Sequence, residues 1–241
     1  MTYNILSENN TSTVVAHYER QAMVEDSAYQ TEADLERSLI EQLQRQGYEY
    51  AQIHNEDELI DNLRQKLEEL NGYHFTDSEW RRFFKTEIAA EGKGIVDKTR
   101  TIQTDFVKTL RRDNGEEKNI YLIKKDDVHA NRTQVINQYE VWNGQRPNRY
   151  DVSILVNGLP LVHIELKKRG VSIKEAFKQI NLYGRESFWA GNGLFEYVQI
   201  FVVSNGTQTK YYSNTTRDSH IKKKKKGGNK NKPKTSNSFE F

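Results

Sequence analysis

Residues 150–168 read YDVSILVNGLPLVHIELKK, and this stretch decides the fold. Val152, Ile154 and Val156 alternate with other residues, and so do Val162, Ile164 and Leu166, which is the period of two expected of half-buried β-strands. Asn157–Gly158 between them is a hairpin turn signal. Placing all six apolar residues on one buried face pairs 156 with 160, 154 with 162 and 152 with 164. That register predicts a three-residue loop at 157–159 and leaves Pro160 first in its strand, where a missing N–H is tolerated. It also sets Asp151 opposite Glu165, on the same face as Lys167. A slip of one residue would send Asp151 to the other side, so one register serves both the core and the charged trio.

Two carboxylates brought this close repel each other unless a cation or an ammonium relieves them. Mg²⁺ is a hard ion that takes oxygen ligands and keeps several waters, so one or two carboxylates plus substrate phosphate suffice to hold it. A lysine beside them can orient an attacking water and offset charge on a phosphate. The pattern alone leaves a second reading open, an exposed strand face with a cross-strand ion pair. Glu-x-Lys also occurs at Glu91–Gly92–Lys93 and Glu116–Glu117–Lys118, in polar, Gly-flanked stretches that read as chance matches.

Outward from the hairpin, a helix is expected over 172–189, opened by Ser172 with Glu175 three residues on. Gln179 and Tyr183 share one face of it. Residues 197–203, YVQIFVV, read as a buried strand, followed by a short one near 209–213. Upstream, apolar spacing of three and four predicts helices over 31–46, 56–70 and from Thr76–Ser78 to Ile88, the first with a Thr31/Asp34 capping box. Strands are expected at 102–107, 118–124 and 132–141. The fold class is therefore α/β or α+β: a central mixed β-sheet flanked by helices, with a helical N-terminal portion. We expect an N-terminal arm at 1–30, a main domain at 31–218 and a Lys-rich flexible loop or linker at 219–241.

The chain has 241 residues, 35% of them hydrophobic and 29% charged, and no Cys, which excludes disulfides and thiolate metal sites. The net charge of +2 is a property of the tail: residues 219–241 hold eight Lys against one Glu, and the remaining chain carries −5. Bulk charge therefore does not point to a nucleic acid, and Lys222–Lys226 reads as solvated. No segment resembles a signal peptide or approaches the ~18 apolar residues of a membrane span, so a cytoplasmic location is expected. The six His are scattered without metal-ligand spacing. His163, on the charged face of the hairpin, is taken as incidental to it, with support of a metal-binding carboxylate as the alternative.

RYDVSILVNGLPLVHIELKKRG at 149–170, followed by Gln179-Ile-Asn-Leu-Tyr183, resembles the restriction subunit of type I restriction–modification enzymes. More broadly it is similar to the PD-(D/E)xK nucleases that carry a Q-x-x-x-Y helix. SEWRR at 78–82, DKTR at 97–100 and FVVSNGT at 201–207 extend the likeness over most of residues 30–215. Tyr150 stands where the strict motif has Pro. The resemblance implies a restriction-endonuclease-like core in which Asp151 and Glu165 are metal carboxylates and Lys167 is the catalytic lysine. Gln179 and Tyr183 would form the auxiliary motif. A glutamate from the first core helix would join them, with Glu36 favoured over Glu32. The implied activity is Mg²⁺-dependent cleavage of double-stranded DNA by a type I deoxyribonuclease, at non-specific sequence. Implied partners are the methyltransferase and specificity subunits. No G-x-x-x-x-G-K-[ST] loop is present, so ATP and translocation are expected only of a parent protein of which this is the N-terminal part. A catalytically silent docking module and a free-standing nuclease are the alternative readings.

Overall fold

A computed structural model of the chain describes strands at residues 5–9 and 12–15, then residues 31–142, 147–186 and 193–214. It excludes the side chains of 5–9, 12–15, 147, 177 and 181–186. β1 (Ile5–Asn9) and β2 (Ser12–Val15) pair with each other within the expected N-terminal arm. The Lys-rich segment at 219–241 lies outside the described residues.

The expected N-terminal helices form. Helix α1 (Glu32–Arg45) starts at Thr31, whose hydroxyl accepts from Asp34 N while Asp34 caps Thr31 N, the reciprocal capping box. β3 (Glu49–Tyr50) is a short edge strand with no period of its own to betray it. Helix α2 (Glu56–Asn71) buries Leu59, Leu63 and Leu67 and ends at Gly72 in the left-handed conformation. Helix α3 (Asp77–Phe83) is capped by Thr76 and continues as a π-turn over Phe84–Ile88.

One expectation fails here. The strand anticipated at 102–107 overlaps the end of a helix, α4 (Ile95–Gln103), and the strand itself, β4 (Val107–Arg111), starts where it should have stopped. Thr99, Thr101 and Ile102 are β-branched, which favours a strand locally, but all three are buried on one side of α4 together with Lys98. Tertiary burial overrides local preference. β4 pairs with β5 (Glu117–Tyr121) as a separate two-stranded hairpin.

The remaining strands are β6 (Thr133–Trp142), β7 (Pro147–Val156), β8 (Leu159–Leu166), β9 (Ile200–Ser204) and β10 (Thr209–Ser213), with helix α5 (Ile173–Glu186) between β8 and β9. Together with β3 they form one six-stranded sheet in the order β10-β9-β8-β7-β6-β3. β8–β9 and β6–β3 are parallel and the other pairs antiparallel, so the sheet is mixed, as expected. One face packs on α1: Val135, Val152, Ile164 and Leu166 meet Leu43, with Leu35, Leu39 and Ile40 partly buried around them. The other face carries the larger core, where Tyr139, Tyr150, Leu155, Phe201 and Val203 join residues of α2, α3 and α5.

Candidate active site

At the site end of the hairpin the register is the one the alternation dictates: Val152 pairs with Ile164 and Ile154 with Val162. At the turn end it shifts by one. Leu155 pairs with Pro160 and Val156 with Leu159, so the loop has two residues, not three, and Leu161 is the extra residue of a bulge. Asn157 (φ 50°) and Gly158 (φ 82°) both occupy the left-handed region, as a two-residue hairpin turn of this hand requires. The turn is pinned: Asn157 Nδ2 donates to Leu122 O and Asn131 Oδ1, and a Cβ on Gly158 would lie 2.6 Å from Leu63 Cα.

A second irregularity shapes the site. Tyr150 and Val152, two apart, pack in different cores, so the alternation breaks at Asp151. Across the ladder, between Asn137↔Val152 and Tyr139↔Tyr150, Gln138 has φ 53°. Glu36 braces this point from α1, accepting from Asn137 Nδ2 and Gln138 Nε2, each at 2.5 Å.

Asp151 Oδ2 accepts from Leu166 N at 2.8 Å, which turns its carboxyl towards the strand that bears Glu165. Glu165 is wholly buried and Asp151 partly so. Lys167 Nζ lies 3.3 Å from Glu165 Oε1 and donates to Leu166 O at 2.9 Å. Burial, followed by the Glu165 charge, pushes the Asp151 carboxyl up to about 7. Burial likewise pushes Glu165 up to about 7, against the opposing pull of Lys167 and a hydrogen bond with Asp151. The two carboxyl groups are thus side by side, desolvated, and only partly compensated by one ammonium.

The structure brings Asp151, Glu165 and Lys167 together. Of the two helix glutamates, Glu32 approaches the trio: its Oε2 is 3.6 Å from Lys167 Nζ and its Oε1 accepts from Lys168 N. Glu36, the favoured one, is engaged one turn further along by Asn137 and Gln138. Gln179 is half-buried on α5, while the Tyr183 side chain lies outside the described residues. His163 stands against the trio, with Nε2 3.4 Å from Glu165 Oε2. Its signal in the sequence was its position two residues before Glu165, on the same strand face.

Among the described residues no three His, Cys, Asp or Glu side chains converge as a metal-binding set. The donors present still fit a hard divalent cation. Both are carboxylates, and Glu165 Oε2 is buried with no hydrogen bond among the described residues. Two protein oxygens with water and phosphate completing the shell is how Mg²⁺ is commonly held.

Residues 29–220 match the family described as type I restriction enzyme R protein N terminus, a span that takes in every element from α1 to β10. The chain is 47% identical over 213 residues to the type I restriction enzyme EcoprrI endonuclease subunit of Escherichia coli, covering 88% of this chain and 67% of that protein. It is 42% identical over 193 residues to the SsaAORF53P endonuclease subunit of Staphylococcus saprophyticus, covering 77% of this chain and 20% of that one. Against the SauMSSORF170P endonuclease subunit of Staphylococcus aureus the identity is 39% over 192 residues, 78% of this chain and 20% of the relative. The matched span and the identity together show that the chain belongs to the family of type I restriction enzyme R protein N-termini.

Proposed function

We propose that residues 31–218 form the DNA-cutting unit of a type I restriction enzyme, a PD-(D/E)xK nuclease that hydrolyses phosphodiester bonds of double-stranded DNA with Mg²⁺. The observation that carries the reading is the pairing of the buried Glu165 with the partly buried Asp151, with Lys167 3.3 Å from Glu165. A buried pair of carboxyl groups this poorly neutralised costs stability, and a cation-dependent reaction gives it a use.

Asp151 and Glu165 would hold the ion. When bound, Mg²⁺ lowers the pKa of its water, polarises the scissile phosphate and offsets charge on the leaving oxygen. Lys167, held by Glu165 Oε1 and Leu166 O, presents its remaining N–H to the attacking water and the phosphate oxygens. Water oxygen bonds to phosphorus as the bond from phosphorus to the deoxyribose oxygen breaks, the water losing one proton to solvent and the departing oxygen taking one up from solvent. Glu32 keeps the Lys167 ammonium on the open side of the pair. Asp151 stays fixed by Leu166 N, so the carboxyl does not swing as phosphate enters.

The chain spans about a fifth of the staphylococcal relatives, 20% of each. ATP-driven translocation, cutting at non-specific sequence, and assembly with methyltransferase and specificity subunits in the cytoplasm are accordingly proposed for the longer protein. Among the described residues no helix is long and apolar enough to cross a membrane.

The test places Asp151→Ala in the complete restriction complex. DNA cleavage should disappear while ATP hydrolysis persists. Normal cleavage by that complex would favour the docking-module reading instead.

A further inference from the structure

We propose that His163 is a positioning residue, an N–H donor set to orient the Glu165 carboxylate from inside the sheet. The inference rests on the reading of Glu165 as a cation ligand.

His163 and Glu165 are two apart on β8 and share a face, and neither has exposed surface. The imidazole meets Tyr150 edge-on at 5.3 Å and Phe201 at 6.4 Å between ring centroids, contacts that fix the plane of the ring. With the plane fixed, each nitrogen has one direction. Nδ1 faces Ser153 Oγ at 3.3 Å and Nε2 faces Glu165 Oε2 at 3.4 Å.

Ser153 can donate, whereas a carboxylate only accepts. One tautomer therefore suits both ends: the Ser153 hydroxyl donates to Nδ1, and the proton sits on Nε2, which faces Glu165 Oε2 at 3.4 Å, a little beyond hydrogen-bond length. The opposite tautomer would set a nitrogen lone pair against a carboxylate oxygen.

The two oxygens of Glu165 are thereby divided. Lys167 addresses Oε1 from the open side, and His163 addresses Oε2 from the core. An N–H placed behind Glu165 orients the carboxylate while leaving its open side to the ion. Partners of this kind on metal-binding groups typically matter by 10–100-fold in metal affinity. Mere filling of the core would be served as well by Leu or Phe, without the cost of burying two ring nitrogens.

Mn²⁺ binding to the 241-residue chain without DNA, followed by titration calorimetry, tests this. The unaltered chain should bind and Glu165→Gln should not. His163→Leu should bind about tenfold more weakly or worse, with its circular dichroism spectrum retained. His163→Gln, whose amide N–H reaches the same place as Nε2–H, should recover most of the loss. Unaltered affinity in His163→Leu, with binding lost in Glu165→Gln, would overturn the role of His163 alone. No binding by the unaltered chain would overturn it together with the metal-site reading. Should His163→Leu fail to fold, the ¹⁵N resonances of the unaltered chain decide: a proton on Nε2 is expected, and a proton on Nδ1 overturns the inference.

Discussion

The β4–β5 and β7–β8 hairpins are both antiparallel, both turn through a glycine at positive φ, and both carry Glu-x-Lys. In β4–β5, Glu116 is exposed and bonded to Arg112 and Asn114, Glu117 is exposed opposite Arg111, and Lys118 is half-buried. Those charges are solvated and their spacing has no chemical consequence. In β7–β8 the same spacing sits in the middle of a six-stranded sheet, so Glu165 is buried and its nearest companions are Asp151, His163 and Lys167. The motif is the same and the dielectric differs: charges that water screens on one hairpin perturb one another on the other.

The largest divergence between the hairpins is expected in catalysis. Lys167→Ala in the restriction complex should slow cleavage by on the order of 10²–10³-fold, the usual cost of losing one preorganised charge partner. Lys118→Ala should leave the rate within about twofold. Equal effects of the two substitutions in a cleavage assay would erase the contrast.

Next come the turns. An Ala at Gly158 would be forced into the left-handed region and its Cβ would lie 2.6 Å from the Leu63 backbone, so Gly158→Ala should cost about 2–5 kcal/mol. Gly115 has φ 87° with nothing within 4 Å of its Cβ position, and Gly115→Ala should cost only about 1–2 kcal/mol. Denaturant unfolding measures both, and a larger loss at Gly115 would mean that the β7–β8 turn is not seated on α2.

The smallest effects are those of charge on stability without a cation. Asp151→Asn keeps an acceptor for Leu166 N and removes one of two buried, mutually repelling carboxyls, so near pH 8 it should stabilise the chain by roughly 1–3 kcal/mol. Glu117→Gln should stay within about 0.5 kcal/mol. The pH dependence has a definite sign. Asp151 and Glu165 titrate near 7 when folded and near 4 when unfolded, so across that window the folded chain binds more protons. Their contribution to stability should fall as pH rises from about 4 to about 7 and level off above, against the opposite contribution of the buried His163, and the fall should be smaller in Asp151→Asn. The same pH dependence of the melting temperature in Asp151→Asn and the unaltered chain would contradict the buried-pair account.

Much of this was legible beforehand. The alternation of Val152, Ile154, Val162 and Ile164 fixed the register where it matters, because only one pairing buries all four. Thr31 and Asp34 announced the start of α1 through a local hydrogen-bond pattern. What stayed hidden depends on contacts distant in sequence. The bulge at Leu161 and the break at Asp151 come from docking on α2 and from the left-handed Gln138, neither of which leaves a period. Glu32 and Glu36 lie one turn apart, and only the angle at which α1 crosses the sheet gives Glu32 to Lys167 and Glu36 to Asn137 and Gln138. Its place on the charged face left His163 two readings, incidental or supporting a metal ligand, because a lone histidine in a strand reads the same whether its neighbours are water or a buried carboxylate. Helix α4 was masked by its threonines.

The central claim is that Asp151 and Glu165 form one cation site. A crystal structure of the chain soaked in Mn²⁺, with anomalous difference maps recorded at the manganese edge, tests it most directly. The account predicts one strong peak bonded to an oxygen of each carboxylate at roughly 2.1–2.2 Å, slightly longer than Mg²⁺–oxygen bonds, with Lys167 alongside. A map without a peak there, the two carboxyl groups hydrogen-bonded to each other through a shared proton, would contradict it.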